Sequence, residues 1–337
     1  MTPLPLLAHL PLALRARAVT LGAEVLSTLG YALPEARPAR YAVKVHPNRA
    51  YGEKGAPHRL DVYVPTRARA PLPTVMYVHG GGFTMLSKNT HRVMALSLAR
   101  RGFLVFNVDY RLGPRHRYPA QLEDTAQALL WVRDNVARYG GDPSRIGLAG
   151  ESAGGNLVLA LALATAHRFD AAFARTLFDS GIVLRGVAST YGFHDLTDID
   201  GYLARAKIAG WARDIIRGSA HGYVGTDVRR AAREAPLTSP LLYLEGDQPL
   251  TRPLPPFFID AGTRDPLLDQ SRRLAHALES RRVPCELHLM PGEIHGYDAM
   301  VWRPAAQAKW RAASAFFRRN MREAGAPKVP VPGVIFR

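Results

Sequence analysis

LAGESAGG (residues 148–155) sets a serine between glycines, straight after an apolar run and straight before a helix-like one. A glycine-rich turn of no chemical interest would look the same locally. A nucleophile at that place makes stronger demands. On a sharp strand-to-helix turn the serine backbone is strained, so the residues two before and two after must lack bulk; Gly150 and Gly154 meet that need. Such a turn holds the Ser152 hydroxyl out over a sheet, above a helix N-terminus that favours developing negative charge. The serine then needs a base, an orienting acid and donors for an oxyanion elsewhere in the chain.

The segments around this turn have the rhythm of an α/β protein. RYAVKVH (40–46) and HRLDVYVP (58–65) alternate and read as an antiparallel pair of strands. Six near-continuous apolar runs follow: PTVMYVH (73–79), FLVFNVDY (103–110), RIGLAG (145–150), IVLRGVAST (182–190), PPFFIDAG (255–262) and PCELHLM (284–290). Runs without alternation are expected of strands covered on both faces. Helical patterns lie between them, at 90–102, 120–140, after Ser152, at 269–282 and at 302–325. The helix over 120–140 has Ala126, Leu129, Leu130 and Val136 on one side and Gly140 as its stop. GNLVLALALATA (155–166) is too short to span a bilayer and reads as a buried helix. Strands alternating with helices predict one mostly parallel, eight-stranded, doubly wound sheet flanked by helices. No repeat or linker divides the chain, so a single domain over 1–337 is expected. The N-terminal stretch (about 1–38) and residues 192–236 break the rhythm, look helical and amphipathic, and are expected to form a cap over the sheet's C-terminal edge.

The partners are placed by the same rhythm. HGGG, His79 to Gly82, follows the strand run TVMYV; three glycines there leave backbone N–H groups unobstructed to receive an oxyanion. The N–H groups of Gly81, Gly82 and Ala153 are the expected oxyanion hole. Of twelve histidines, His295 sits in the loop PGEIHGYD after the last strand run, whereas His288 lies inside that run. Asp265, in TRDPLLD, falls in the loop after PPFFIDAG; Asp260 is still within that strand and Asp269 is already in the next helix. The candidate catalytic set is therefore Ser152, Asp265 and His295, each at the C-terminal end of a strand.

Composition bounds the alternatives. The formal charge is +16, but the arginines are scattered through nearly every segment rather than gathered with aromatics on one face, so no nucleic-acid partner is expected. Cys285, alone in the chain, allows no intramolecular disulfide and sits in an apolar strand, which suits a core residue of a cytoplasmic protein. The apolar N-terminus lacks a basic n-region and is interrupted by Arg15 and Arg17, so no integral membrane segment is expected. No His, Cys and Asp cluster at ligand spacing calls for a metal, and no cofactor is expected.

The chain resembles the hormone-sensitive-lipase family of α/β-hydrolase esterases, marked by HGGG upstream of GDSAG or GESAG. The resemblance covers most of residues 58–320, including DYRLGPRHRYPAQLED (109–124), YGGDPSRIGLAGESAGGNL (139–157), TRDPLLD and the terminal HGY. It implies a serine carboxylesterase acting on small-molecule esters of short to medium acyl chain, a helical cap shaping the pocket, and a homodimer through the last strand. The chain departs from the family pattern DYRLAPEHPFPAALED at Gly113 and Arg115, which puts the packing of that loop in question, and carries Glu151 where Asp is commoner. Amide or lactone hydrolysis uses the same triad and stays open, as does a non-catalytic ligand receptor on the same scaffold. Trp211, Ile215 and Tyr223 could equally line the pocket or form the core of the cap.

Overall fold

The computed structural model describes residues 36–205 and 210–322, together with residues 14, 17, 18, 20–22, 24 and 25. Its eight strands are β1 (Val43–Ala50), β2 (Arg59–Pro65), β3 (Leu72–Val78), β4 (Leu104–Val108), β5 (Gly141–Glu151), β6 (Leu184–Thr190), β7 (Phe257–Gly262) and β8 (Cys285–Met290). They form one sheet in the order β1-β2-β4-β3-β5-β6-β7-β8. β2 pairs antiparallel with both β1 and β4, and every later pairing is parallel. The sheet therefore has the mostly parallel, doubly wound form that the apolar runs predict.

Alternation along the central strands divides the core into two. Met76, Phe106, Leu148, Val187 and Ile259 face one side, where they meet the helices at 120–135 and 153–166. Val75, Tyr77, Val105, Ala149, Ala188 and Phe258 face the other, against the helices at 92–99 and 304–320. We number the helices α1 (Arg92–Ala99), α2 (Ala120–Asn135), α3 (Ala153–Ala166), α4 (Ala172–Asp179), α5 (Ile199–Arg205), α6 (Gly210–Val224), α7 (Val228–Glu234), α8 (Pro240–Glu245), α9 (Leu268–Ser280) and α10 (Pro304–Asn320). Every residue of α3 is buried, because sheet, α2 and α4 surround it; a helix apolar on all sides suits only such a place. No helix among the described residues is long and apolar enough to cross a membrane.

β5 is longer than RIGLAG suggests. It begins at Gly141, and its first residues pair out of step with β3, with a register shift between Leu72 and Thr74. Asp142 accepts bonds from the Ser144 amide (2.9 Å) and hydroxyl (2.6 Å), so turn chemistry sits inside an irregular strand start. The reading of 302–325 as helix shortens to α10, and residues 323–325 lie outside the described residues.

The segment 192–236 holds α5, α6 and α7. Leu196, Ile199, Leu203, Ala220 and Tyr223 belong to the same apolar cluster as the central strands, so this segment packs into the main core. Most of the N-terminal stretch expected in the cap lies outside the described residues. Two of its described side chains touch the loop after β3: the Leu86 amide donates to Thr20 Oγ1 (3.0 Å) and Ser87 Oγ to Glu24 Oε1 (3.1 Å).

Candidate active site

β5 ends at Glu151 and α3 begins at Ala153, so Ser152 is the whole of the turn between them. Its φ of 54° and ψ of −118° lie in a region L-residues rarely adopt. Three backbone bonds hold it there: its N–H donates to Thr190 O (3.0 Å), and its carbonyl accepts from Phe193 (3.0 Å) and Asn156 (3.2 Å). The flanking glycines are needed because the backbones converge. A Cβ on Gly154 would sit 2.1 Å from Val78 O, and one on Gly150 would sit 2.5 Å from Gly154 O.

The loops after β7 and β8 bring the other two candidates to this turn. His295 Nε2 lies 3.0 Å from Ser152 Oγ, and its Nδ1 lies 2.9 Å from Asp265 Oδ2. Asp265 has a fully buried side chain, and its second oxygen accepts the Leu267 amide at 2.7 Å. Burial of the His295 ring works against its cationic form. The charge and hydrogen bond of Asp265 outweigh that, so its pKa is raised above 6.5. About a third of the His295 side chain, 35%, remains accessible, and the ring of Tyr191 packs on it at 4.5 Å between centroids. Ser152, His295 and Asp265, separated by up to 143 positions, thus form one continuous hydrogen-bonded chain.

The loop after β3 starts against the serine turn, where a Cβ on Gly154 would also lie 2.8 Å from His79 O. Its first residues are tied down: Tyr110 OH donates to His79 O (2.8 Å), His79 Nδ1 to Gly80 O (2.7 Å), and the Gly80 amide to Glu151 Oε1. Gly81 O accepts from Thr84 (3.1 Å) and Met85 (3.0 Å). The amides of Gly81 and Gly82 have no acceptor among the described residues, and the Ala153 amide is one of those a helix N-terminus leaves unpaired. Gly81 (φ 103°) and Gly82 (φ 59°) both take left-handed backbone conformations that favour glycine.

The model of the α/β-hydrolase fold family matches residues 75–299, two thirds of the chain. The chain belongs to that family. Within it this hydrolase sits in the hormone-sensitive-lipase branch, as its relatives indicate. Carboxylesterase NlhH of Mycobacterium tuberculosis is 35% identical over 263 residues, which cover 77% of each chain. The thermophilic carboxylesterase EstE1, from a metagenomic library, is 25% identical with a TM-score of 0.74, covering 93% of the hydrolase and 99% of that chain. An esterase of Pyrobaculum calidifontis is 26% identical with a TM-score of 0.73, covering 93% and 95%.

The residues set aside in the sequence have other surroundings in the hydrolase. Asp260 is buried in β7 and accepts a bond from Tyr297 OH; His288 stacks on Phe258 at 4.7 Å. Cys285 is buried, and burial pushes its thiol up to about 11, as suits a core residue. Tyr223 is core, stacked on Phe83 at 4.0 Å; Ile215 is half-buried, and the Trp211 side chain lies outside the described residues. Gly113 has a clear reason: a Cβ there would sit 2.3 Å from Gly222 O on α6, so the departure from Ala lets this helix approach. Among the described residues no group of three or more His, Cys, Asp or Glu is arranged to hold a metal ion. One partner went unread. His91, at the start of α1, pairs with Glu151 through Nε2 at 2.8 Å, and its only signal in the sequence was a histidine at a helix N-terminus.

Proposed function

We propose that this protein is a serine esterase that cleaves carboxylic esters of short to medium acyl chain through an acyl-enzyme. The observation that carries the reading is the hydrogen-bonded chain from Ser152 through His295 to Asp265. Carboxylic-ester hydrolysis is also the activity named for its relatives. In the mechanism, His295 Nε2 takes the proton of Ser152 Oγ as it attacks the acyl carbon. Asp265 orients the imidazole and stabilises its cation. The amides of Gly81, Gly82 and Ala153 receive the tetrahedral oxyanion. The alcohol leaves with the proton from His295, and a water activated by the same imidazole then releases the acid.

The N-terminal stretch and residues 192–236 act as the cap in this reading, and its enclosure favours small acyl groups over a lipid interface. A chain-length profile peaking beyond about twelve carbons would exceed an enclosed pocket and overturn that choice. The edge position of β8 leaves it open to a second copy, which supports a homodimer. Ser152→Ala should abolish hydrolysis of p-nitrophenyl butyrate, a loss on the order of 10⁶-fold where a triad acts as a unit. Wild-type turnover by that variant would refute the assignment. Matched ester and amide substrates compared side by side decide which bond is preferred. Failure of a fluorophosphonate probe to label Ser152 would favour a receptor over an enzyme.

A further inference from the structure

Glu151 precedes the nucleophile and is buried with its carboxylate turned toward the loop after β3. It accepts two bonds there, from the Gly80 amide and from His91 Nε2 at 2.8 Å. The other nitrogen of His91 lies 3.0 Å from Ser87 O and 2.7 Å from the Thr90 hydroxyl, whose single proton goes to Ser87 O at 2.7 Å, so both neighbours accept and that nitrogen carries a proton. With Nε2 donating to the carboxylate as well, the imidazole is doubly protonated and the contact is a buried ion pair. We infer that Glu151, neutralised by His91, is the positioning residue of the oxyanion loop, fixing the Gly80 peptide so that the next two amides face Ser152. The inference rests on the esterase reading and extends it to how the hole is built.

Three features carry it. First, the tie joins the end of β5, the loop after β3 and the start of α1 at the residue next to the serine. Second, the fit excludes a side chain at residue 80: a Cβ there would lie 2.3 Å from Glu151 Oε2. The first glycine of HGG therefore serves the carboxylate, while Gly81 and Gly82 serve the left-handed turns. Third, a lone carboxylate beside the nucleophile would repel the oxyanion in a medium of low polarity; the imidazolium of His91 cancels that field while leaving the hydrogen bond.

The test uses Glu151→Ala, Glu151→Gln and His91→Gln, with kcat and KM on p-nitrophenyl butyrate and the Ki of an alkyl boronic acid. The boronate adduct of Ser152 places a tetrahedral oxygen in the hole, so its affinity reads the hole directly. Glu151→Ala and His91→Gln should lower kcat about 10- to 100-fold, below the 10²- to 10³-fold ceiling for loss of one donor. KM should stay within about twofold, since ground-state binding is untouched, and boronate affinity should fall by the same factor as kcat. Glu151→Gln keeps an acceptor for Gly80 and should fall between these variants and the wild type. If Glu151→Ala does not fold, the parallel loss of kcat and boronate affinity in the other two carries the test. Folded variants with wild-type kcat and Ki, or with only KM raised, overturn the inference while an inactive Ser152→Ala leaves the esterase reading standing.

Discussion

At the scale of single residues, the proposed chemistry depends on where His295 holds its proton. The imidazole must be neutral to accept the proton of Ser152, and Asp265 raises its pKa above 6.5. The kcat/KM of the wild type should therefore fall as pH drops through that raised value. Asp265→Asn removes the charge that raises it and leaves burial, which lowers it, so the acid limb should move to lower pH. The same change should reduce kcat by on the order of 10⁴-fold, because the imidazole loses the partner that sets its tautomer. A pH–rate profile of both forms measures the two effects, and an acid limb that stays in place would show that Asp265 does not govern the base. His79 behaves oppositely: burial, then the neighbouring His91 charge, push its pKa down to about 3, so it stays neutral as a fixed strut of the HGGG loop.

At the scale of elements, close backbone approach sets the geometry. α6 reaches the loop at 113 because Gly113 leaves room for the Gly222 carbonyl and Gly222 leaves room for Thr84, and Phe83 stacks on Tyr223 from the same helix. Gly113→Ala should force α6 outward and cost about 1–3 kcal/mol, the usual range for overpacking. Denaturant unfolding of this variant measures the cost; stability equal to the wild type would mean the helix has room to move. This contact was not legible in the sequence, where Gly113 looked only like a departure from a pattern. The start of β5 was hidden for a related reason: GDPS carries turn chemistry, and only the pairing with β3 makes it strand.

At the scale of the molecule, one apolar cluster runs from the strands through α3 into residues 196–237. Helices α5 and α6 share this cluster, so they should not melt separately from the sheet. Calorimetry should give one endotherm with equal calorimetric and van't Hoff enthalpies; two resolved transitions would mean that residues 192–236 form an independent unit.

Local patterns alone determined the strand and helix succession, the serine turn and the order of its partners. Each of those depends on the spacing of apolar residues and glycines within a few positions, which periodicity and turn sterics govern directly. Only the folded sheet decided that His91 meets Glu151, that Gly113 meets Gly222 and that His295 reaches both Ser152 and Asp265. Those contacts join residues from about 30 to 143 positions apart, apart from the nearer loop ties, and no local preference encodes them. The contacts of Ser152, Asp265 and His295 follow from the parallel succession β3-β5-β6-β7-β8, which brings the ends of distant segments to one edge.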